Sequence, residues 1–222
     1  MKSKAISVTR AVEMIPDGAT LMIGGFMGVG SPNRLIDELV QQGRNQLPVI
    51  ANDTARPGVG IGKLIEAKMV RKVVVTHIGT TPETQRQMIS GDLEVELVPQ
   101  GTLAECIRAA GHGLGGVLTQ TGIGTTVAEG KRSLEINGRM YLLELPVKAD
   151  FALLAARRAD YLGNLEYSLT ARNFNPVMAL AAATVIAEAK EILPVGMISP
   201  DDVVTPYVLV DYLIERERTN GR

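Results

Sequence analysis

Hydrophobic positions along this chain follow two rhythms. Short apolar bursts rich in Val and Ile, at Thr20 to Ile23, Pro48 to Ala51, Lys72 to His77 and Val95 to Val98, alternate with longer stretches of helical period. Arg34 to Gln42 sets Leu35, Ile36, Leu39 and Val40 on one helical face. Thr102 to Ala110 does the same with Leu103, Cys106, Ile107 and Ala110. Strand-length bursts that alternate with amphipathic helices are the mark of βα units around a parallel sheet.

After residue 110 the texture changes. Gly111 to Gly130 is too rich in glycine for a helix and too polar for a buried strand, which predicts a long ordered loop. Ser133 to Leu143 then reads as a hairpin, with Asn137-Gly138 at its turn. Strands return at Phe151 to Ala155 and Thr184 to Ala187, and Tyr207 to Glu215 reads as a closing helix. With no repeat, low-complexity tract or linker to divide it, the chain is expected to form one α/β domain spanning residues 1–222. Its expected core is an open, mostly parallel sheet flanked by helices, with a glycine-rich loop region and a small hairpin.

Composition narrows the function. Lys plus Arg number 23 and Asp plus Glu 24, so the chain has no long-range attraction for nucleic acid or anionic lipid. Aromatic residues are 4% with no Trp, which removes the platforms on which single-stranded bases stack. The one cysteine, Cys106, lies on an apolar helical face, so neither a disulfide nor a thiolate-clustered metal site is expected. His77 and His112 have no Ser or Cys arranged around them as a nucleophile, and a structural role is expected of both. The N-terminal MKSKAISVTR lacks an apolar segment of the kind that follows in a secretory signal. The apolar run Val177 to Ala187 falls short of the ~20 residues that span a bilayer, so a cytoplasmic protein is expected.

Candidate chemistry is concentrated in Asp17 to Pro32, where the strand Leu21-Met22-Ile23 runs into glycines at 24, 25, 28 and 30 and then into a helix. Ser31 is expected to cap that helix and Pro32 to occupy its first turn. Glycines let backbone N–H groups approach a ligand, and the positive end of a helix dipole favours an anion or developing negative charge. Close helix packing alone accounts for such a loop equally well. The loop is not a Walker loop, since Gly62-Lys63-Leu64 lacks the following hydroxyl and Pro57 stands where the first glycine belongs. Its glycine spacing also fits a dinucleotide fingerprint poorly.

Asp17-Gly18, Gly24-Gly25-Phe26, Gly30 and Pro32 together resemble the first signature of the two-chain 3-oxoacid CoA-transferases. Further blocks of the same resemblance follow in order. They are Val98 to Glu105, Thr121 to Thr125, Asp160 to Asn164, and Ala171-Arg172-Asn173-Phe174-Asn175. The resemblance, closest in wording to α subunits of the acetate/acetoacetate type, implies an architecture shared with ribose-phosphate isomerases. It implies that Gly24, Gly25, Phe26, Met27, Gly28, Val29 and Gly30 contact coenzyme A, which is a substrate and not a bound cofactor. It also implies that Gln100 donates a hydrogen bond by the reacting acyl group. Gln100 follows a strand, where open α/β sheets place ligands, although Pro99-Gln100-Gly101 also reads as a simple turn.

In that family a glutamate attacks the thioester, through tetrahedral oxyanions, and it belongs to a Ser-Glu-Asn-Gly block. No such block occurs here, so the resemblance implies that a β subunit supplies it, in an α2β2 assembly. Glu83, Glu105, Glu129 and Glu144 are accordingly expected to be solvated or structural. Asn52 and Asp53 follow a strand end, which suits either a substrate pocket or turn chemistry. Arg56 and Arg172 are the candidates for a second substrate carboxylate, as a 3-oxoadipate or succinate-dependent enzyme would require. A reading from another class, a stand-alone protein binding sugar phosphate on the glycine loop, predicts activity without a partner.

Overall fold

The computed structural model describes residues 4–214. The chain begins with β1 (Ala5–Ile6) and α1 (Val8–Glu13). It then alternates through β2 (Leu21–Ile23), α2 (Asn33–Gln42), β3 (Leu47–Ile50), α3 (Gly62–Glu66), β4 (Val70–Val75), α4 (Pro82–Ser90), β5 (Glu94–Leu97) and α5 (Gln100–Gly111). A small antiparallel sheet follows, from β6 (Val117–Thr119), β7 (Ser133–Ile136) and β8 (Arg139–Glu144). Last come β9 (Ala149–Asp160), β10 (Leu165–Glu166), α6 (Asn175–Met178), β11 (Ala182–Leu193) and β12 (Tyr212–Ile214).

The main sheet runs β1-β12-β11-β9-β2-β3-β4-β5, with every neighbouring pair parallel. Only β10, which pairs with β9, is antiparallel. Both faces are covered, and the alternation along each strand decides which side chain goes where. On β2, Leu21 and Ile23 join a core with Ala11 and Val12 of α1, Leu35, Ile36 and Leu39 of α2, and Leu64 and Ile65 of α3. Met22 points the other way, into a core with Leu103 and Ile107 of α5 and Val177 and Met178 of α6. Leu39 has no exposed surface, so cutting it back to Ala is expected to cost about 2–5 kcal/mol.

The expected parallel sheet and the β7–β8 hairpin are both present. Gly111 to Gly130 is more ordered than a loop. It holds the last residue of α5, strand β6, and a 3₁₀ turn at Thr126–Ala128, and β6 pairs with β8 to make the hairpin a three-stranded sheet. The expected helix at Tyr207 to Glu215 is absent over its described part: Tyr207–Leu209 is a 3₁₀ turn and Tyr212–Ile214 is β12, while Glu215 lies outside the described residues. Leu213 and Ile214 are buried between β1 and β11, and a short apolar run has no period that separates strand from helix.

From β2 to β5 the strands are laid down in one direction. The chain then crosses by α5 to the other face and returns as β9 on the opposite side of β2. The order of strands therefore reverses between β2 and β9, and the crevice at such a reversal, outside the carboxyl ends of the strands, is where open α/β sheets bind ligands.

Candidate functional site

The glycine loop leaves the end of β2 at that reversal. Phe26 and Val29 exchange two backbone hydrogen bonds, 2.9 and 2.8 Å long, around Met27 and Gly28. Both central residues have positive φ, 53° and 86°, as a type I′ turn demands. Met27 bears the steric cost of the left-handed region, and its N–H is held there by Asp53 Oδ2 at 2.9 Å. Asp53 Oδ1 accepts the Ala55 N–H at 2.6 Å, so one buried carboxylate ties the turn to the segment after β3. Phe26 and Val29, 38% and 51% exposed, present the tip of the turn to solvent.

The glycines at the ends of the loop answer to packing. A Cβ on Gly24 would overlap the amide oxygen of Asn175, and one on Gly30 would stand 2.7 Å from the Ala171 Cβ. Asn175, fully buried, clasps the loop: its Nδ2 donates to the carbonyls of Gly30 and Ala171, each at 3.0 Å, and its Oδ1 accepts the Ala155 N–H at 2.9 Å. Asn175 thus joins the loop to β9, on the far side of the strand reversal.

A second turn of similar build lies alongside. Arg56-Pro57-Gly58-Val59-Gly60 repeats the x-x-Gly-Val-Gly order of Phe26 to Gly30, and the Val59 N–H bonds the Arg56 carbonyl at 3.0 Å. A Cβ on Gly28 would overlap Val59 Cγ1, so the two turns are packed against each other. This echo of five residues is too short to be a sequence repeat. It puts Arg56, exposed, beside the glycine loop. The Arg172 Nε donates to the Tyr167 carbonyl at 3.4 Å.

The start of α2 departs from expectation. Pro32 is the N-cap residue, its carbonyl accepting the Ile36 N–H at 3.0 Å, and Ser31 makes no cap bond. The cap comes from β11. Glu188 Oε2 accepts the N–H groups of Arg34 at 2.9 Å and Leu35 at 3.2 Å. A proline at the cap has no side-chain oxygen to offer the first-turn N–H groups, and the packed β11 brings a carboxylate that does. Burial pushes the Glu188 carboxyl above its ordinary range. With this acid in place, two of the first-turn N–H groups of α2 are already engaged.

Gln100, exposed, is the first residue of α5. Its Nε2 donates to Asn52 Oδ1 at 2.9 Å. The Thr76 hydroxyl donates to the same oxygen at 3.0 Å, and Asn52 Nδ2 donates to Asn173 Oδ1 at 3.0 Å. The ends of β3, β4 and β5 and the segment before α6 therefore meet in one network of amides. Asn52 and Asp53 are buried, 1% and 4% exposed, behind the surface made by the glycine loop and Gln100. A cleft of about 980 Å³ opens between Gly28 to Ser31 and the strand segments at Ala155 to Arg157 and Glu188 to Lys190. Gln100 and Asn52 do not line it.

The remaining candidates are accounted for structurally. Cys106 is buried in the α5 core and burial pushes its thiol up to about 11. His112 Nδ1 bonds the Arg108 carbonyl at 2.8 Å. His77 is exposed just beyond β4, where its backbone bridges to Asp53. Glu83, Glu105 and Glu144 are paired with Arg86, Arg108 and Lys131. The two carboxylates at the loop, Asp53 and Glu188, both accept backbone N–H groups, which occupy oxygens that a nucleophile would need free. Sequence reasoning missed Thr76 and Glu188, and it gave Asn173 and Asn175 no role. Among the described residues no group of three His, Cys, Asp or Glu side chains could hold a metal ion, and no helix is long and apolar enough to cross a membrane.

An open parallel sheet with a glycine turn at its strand reversal and an amide network beside it defines an α/β protein of the open-sheet class. The chain belongs to the Coenzyme A transferase family, which it matches over residues 5–216. It is 52% identical over 214 residues to the alpha subunit of the acetate CoA-transferase of Escherichia coli, covering 96% of this chain and 97% of that one. It is 47% identical over 215 residues to the acetoacetyl-CoA:acetate/butyrate CoA transferase alpha subunit of Clostridium acetobutylicum, covering 97% and 99%. In fold it is similar to the acyl-CoA transferase YdiF of E. coli in a thioester complex with CoA, with a TM-score of 0.86 at 23% identity. The match covers 97% of this chain and spans about half, 47%, of that one. The decarboxylase AibA/AibB shares the fold too, with a TM-score of 0.80 at 27% identity over 97% of this chain and 84% of that one, so the fold alone does not choose the reaction.

Proposed function

We propose that this chain is the α subunit of a two-chain, cytoplasmic CoA-transferase that moves CoA between a short-chain acyl-CoA, acetyl-CoA or acetoacetyl-CoA, and a free carboxylic acid. The observation that carries this reading is the 52% identity over nearly the whole chain to the alpha subunit of an acetate CoA-transferase. The geometry is consistent with it. In this reading the turn at Gly24 to Gly30, tipped by Phe26 and Val29, contacts the thioester end of CoA. Gln100 donates a hydrogen bond to the acyl oxygen, where a negative charge develops as the tetrahedral intermediate forms. The attacking carboxylate comes from a β subunit in an α2β2 assembly, which fits a site whose own acids are engaged elsewhere.

Glu188 at the start of α2 weighs against the sugar-phosphate reading, because a carboxylate already holds the N–H groups that a phosphate would need. A succinate- or 3-oxoadipate-dependent enzyme is the nearer alternative, since one of the 3-oxoadipate CoA-transferase chains of Pseudomonas putida is 43% identical over 210 residues. Arg56, exposed beside the glycine loop, is the cation that a second carboxylate would use.

The test is exchange of CoA between acetyl-CoA and acetoacetate by the chain alone, and by the chain co-expressed with its β subunit. Turnover is expected only in the complex. Turnover by the isolated chain would overturn the two-chain reading, and a complex that uses succinyl-CoA in preference would move the assignment to the alternative.

A further inference from the structure

We infer that Asn52 is a positioning residue for this site and acts only through Gln100. The inference rests on the proposed role of Gln100 at the acyl oxygen and extends it one residue inward. Gln100 stands exposed at the start of α5, on a long side chain that is free to rotate unless something holds its head. Asn52 is that hold. Its Oδ1 accepts from both Gln100 Nε2, at 2.9 Å, and the Thr76 hydroxyl, at 3.0 Å, which fills both lone pairs of the oxygen. Its Nδ2 donates to Asn173 Oδ1 at 3.0 Å, which fixes the amide plane from behind. With 1% of its surface exposed and these bonds made, Asn52 has little left to offer a ligand.

The consequence falls on the second N–H of Gln100. With one N–H of the amide engaged by a buried acceptor, the other is held in a set direction and is the donor left for an acyl oxygen. A donor aimed before the charge develops stabilises the transition state without reorganising, which is where most oxyanion catalysis comes from. The backbone reinforces the aim: the Thr76 N–H donates to the Asn52 carbonyl at 2.7 Å, locking the ends of β3 and β4 together.

A double-mutant cycle on the assembled complex tests this, reading kcat and the KM for acyl-CoA separately. Gln100→Ala is expected to lower kcat roughly a hundredfold, the size found when one oxyanion donor is removed. Asn52→Ala in the otherwise unaltered complex is expected to lower kcat about tenfold with KM held within about twofold, since it loosens a transition-state contact only. In the Gln100→Ala background, Asn52→Ala should change kcat less than about twofold, because residues that act as one unit are not additive. Multiplying losses would overturn the inference while leaving Gln100 in place. Full activity of Gln100→Ala would remove the reading on which both rest, a visibly different outcome. If Asn52→Ala does not assemble with the β subunit, Asn173→Ala, which frees Asn52 from behind, takes its place in the same cycle, with the same outcomes deciding.

Discussion

Glu188 and Leu35 meet across most of the chain, the carboxylate of β11 accepting the first-turn N–H of α2 at 3.2 Å. The same oxygen takes the Arg34 N–H at 2.9 Å, a partner 154 residues away in sequence. This single group closes the helix that follows the glycine loop, so the position of the loop depends on β11 as well as on β2.

Removing that group should be costly and pH-dependent. Glu188→Ala leaves two N–H groups without their acceptor and is expected to lower stability by about 2 kcal/mol. Burial outweighs the two N–H bonds and raises the folded-state value of the Glu188 carboxyl. The folded chain therefore binds this proton more tightly than the unfolded chain. The contribution is full below the unfolded value of about 4.3 and declines as pH rises through the folded one. Glu188→Gln has no such proton. The stability difference, wild type minus Glu188→Gln, should fall as pH is raised from about 4.3, measured by denaturant unfolding at each pH. A difference that rises or stays level would contradict the role of burial.

Cys106 gives a clean probe of the α5 core, because it is the one cysteine in the chain. Burial raises its thiol to about 11, so at pH 8 almost none is thiolate and its sulfur is also out of reach. A thiol reagent is expected to label the folded chain at least a hundredfold more slowly than a free thiol, and the denatured chain at the ordinary rate, because access requires opening. Labelling of the folded chain at the free-thiol rate would mean that α5 does not stay docked.

The strands from β2 to β5 and the helices α2 and α5 were legible because each carries its own periodicity, within a residue or two of its ends. The glycine loop was legible for the same reason, being local. What holds it was not. Asn175 touches Gly24 and Gly30 from a distant part of the chain, and a lone Asn before a Pro reads as a turn. Glu188 stood in the sequence as one more polar residue after an apolar run. Ser31 has the propensity of a cap that β11 supplies instead, since propensity at a helix start is outweighed when tertiary packing delivers a better acceptor. The segment at Tyr212 to Ile214 has a pattern that reads as helix and becomes a strand only by lying between β1 and β11.

The loop residues divide between glycines that pack and an exposed tip at Phe26 and Val29, a division that mutations can separate. Gly24→Ala drives a Cβ into the Asn175 amide and should cost about 1–3 kcal/mol, with lost activity following from a displaced loop. Gly25→Val is no cleaner, because φ is 123° there and the added carbon would overlap Ser31 Oγ. Val29 is different: half its surface is exposed at the tip of the turn. Val29→Asp is therefore expected to leave stability within about 0.5 kcal/mol. In the assembled complex it should raise the KM for acyl-CoA about tenfold, worth about 1.4 kcal/mol, by placing a charge against the ligand. Thermal unfolding of the chain and steady-state kinetics of the complex, measured on the same preparations, separate the two effects. If Val29→Asp leaves KM unchanged while Gly24→Ala abolishes activity, the loop serves packing alone and CoA is held elsewhere.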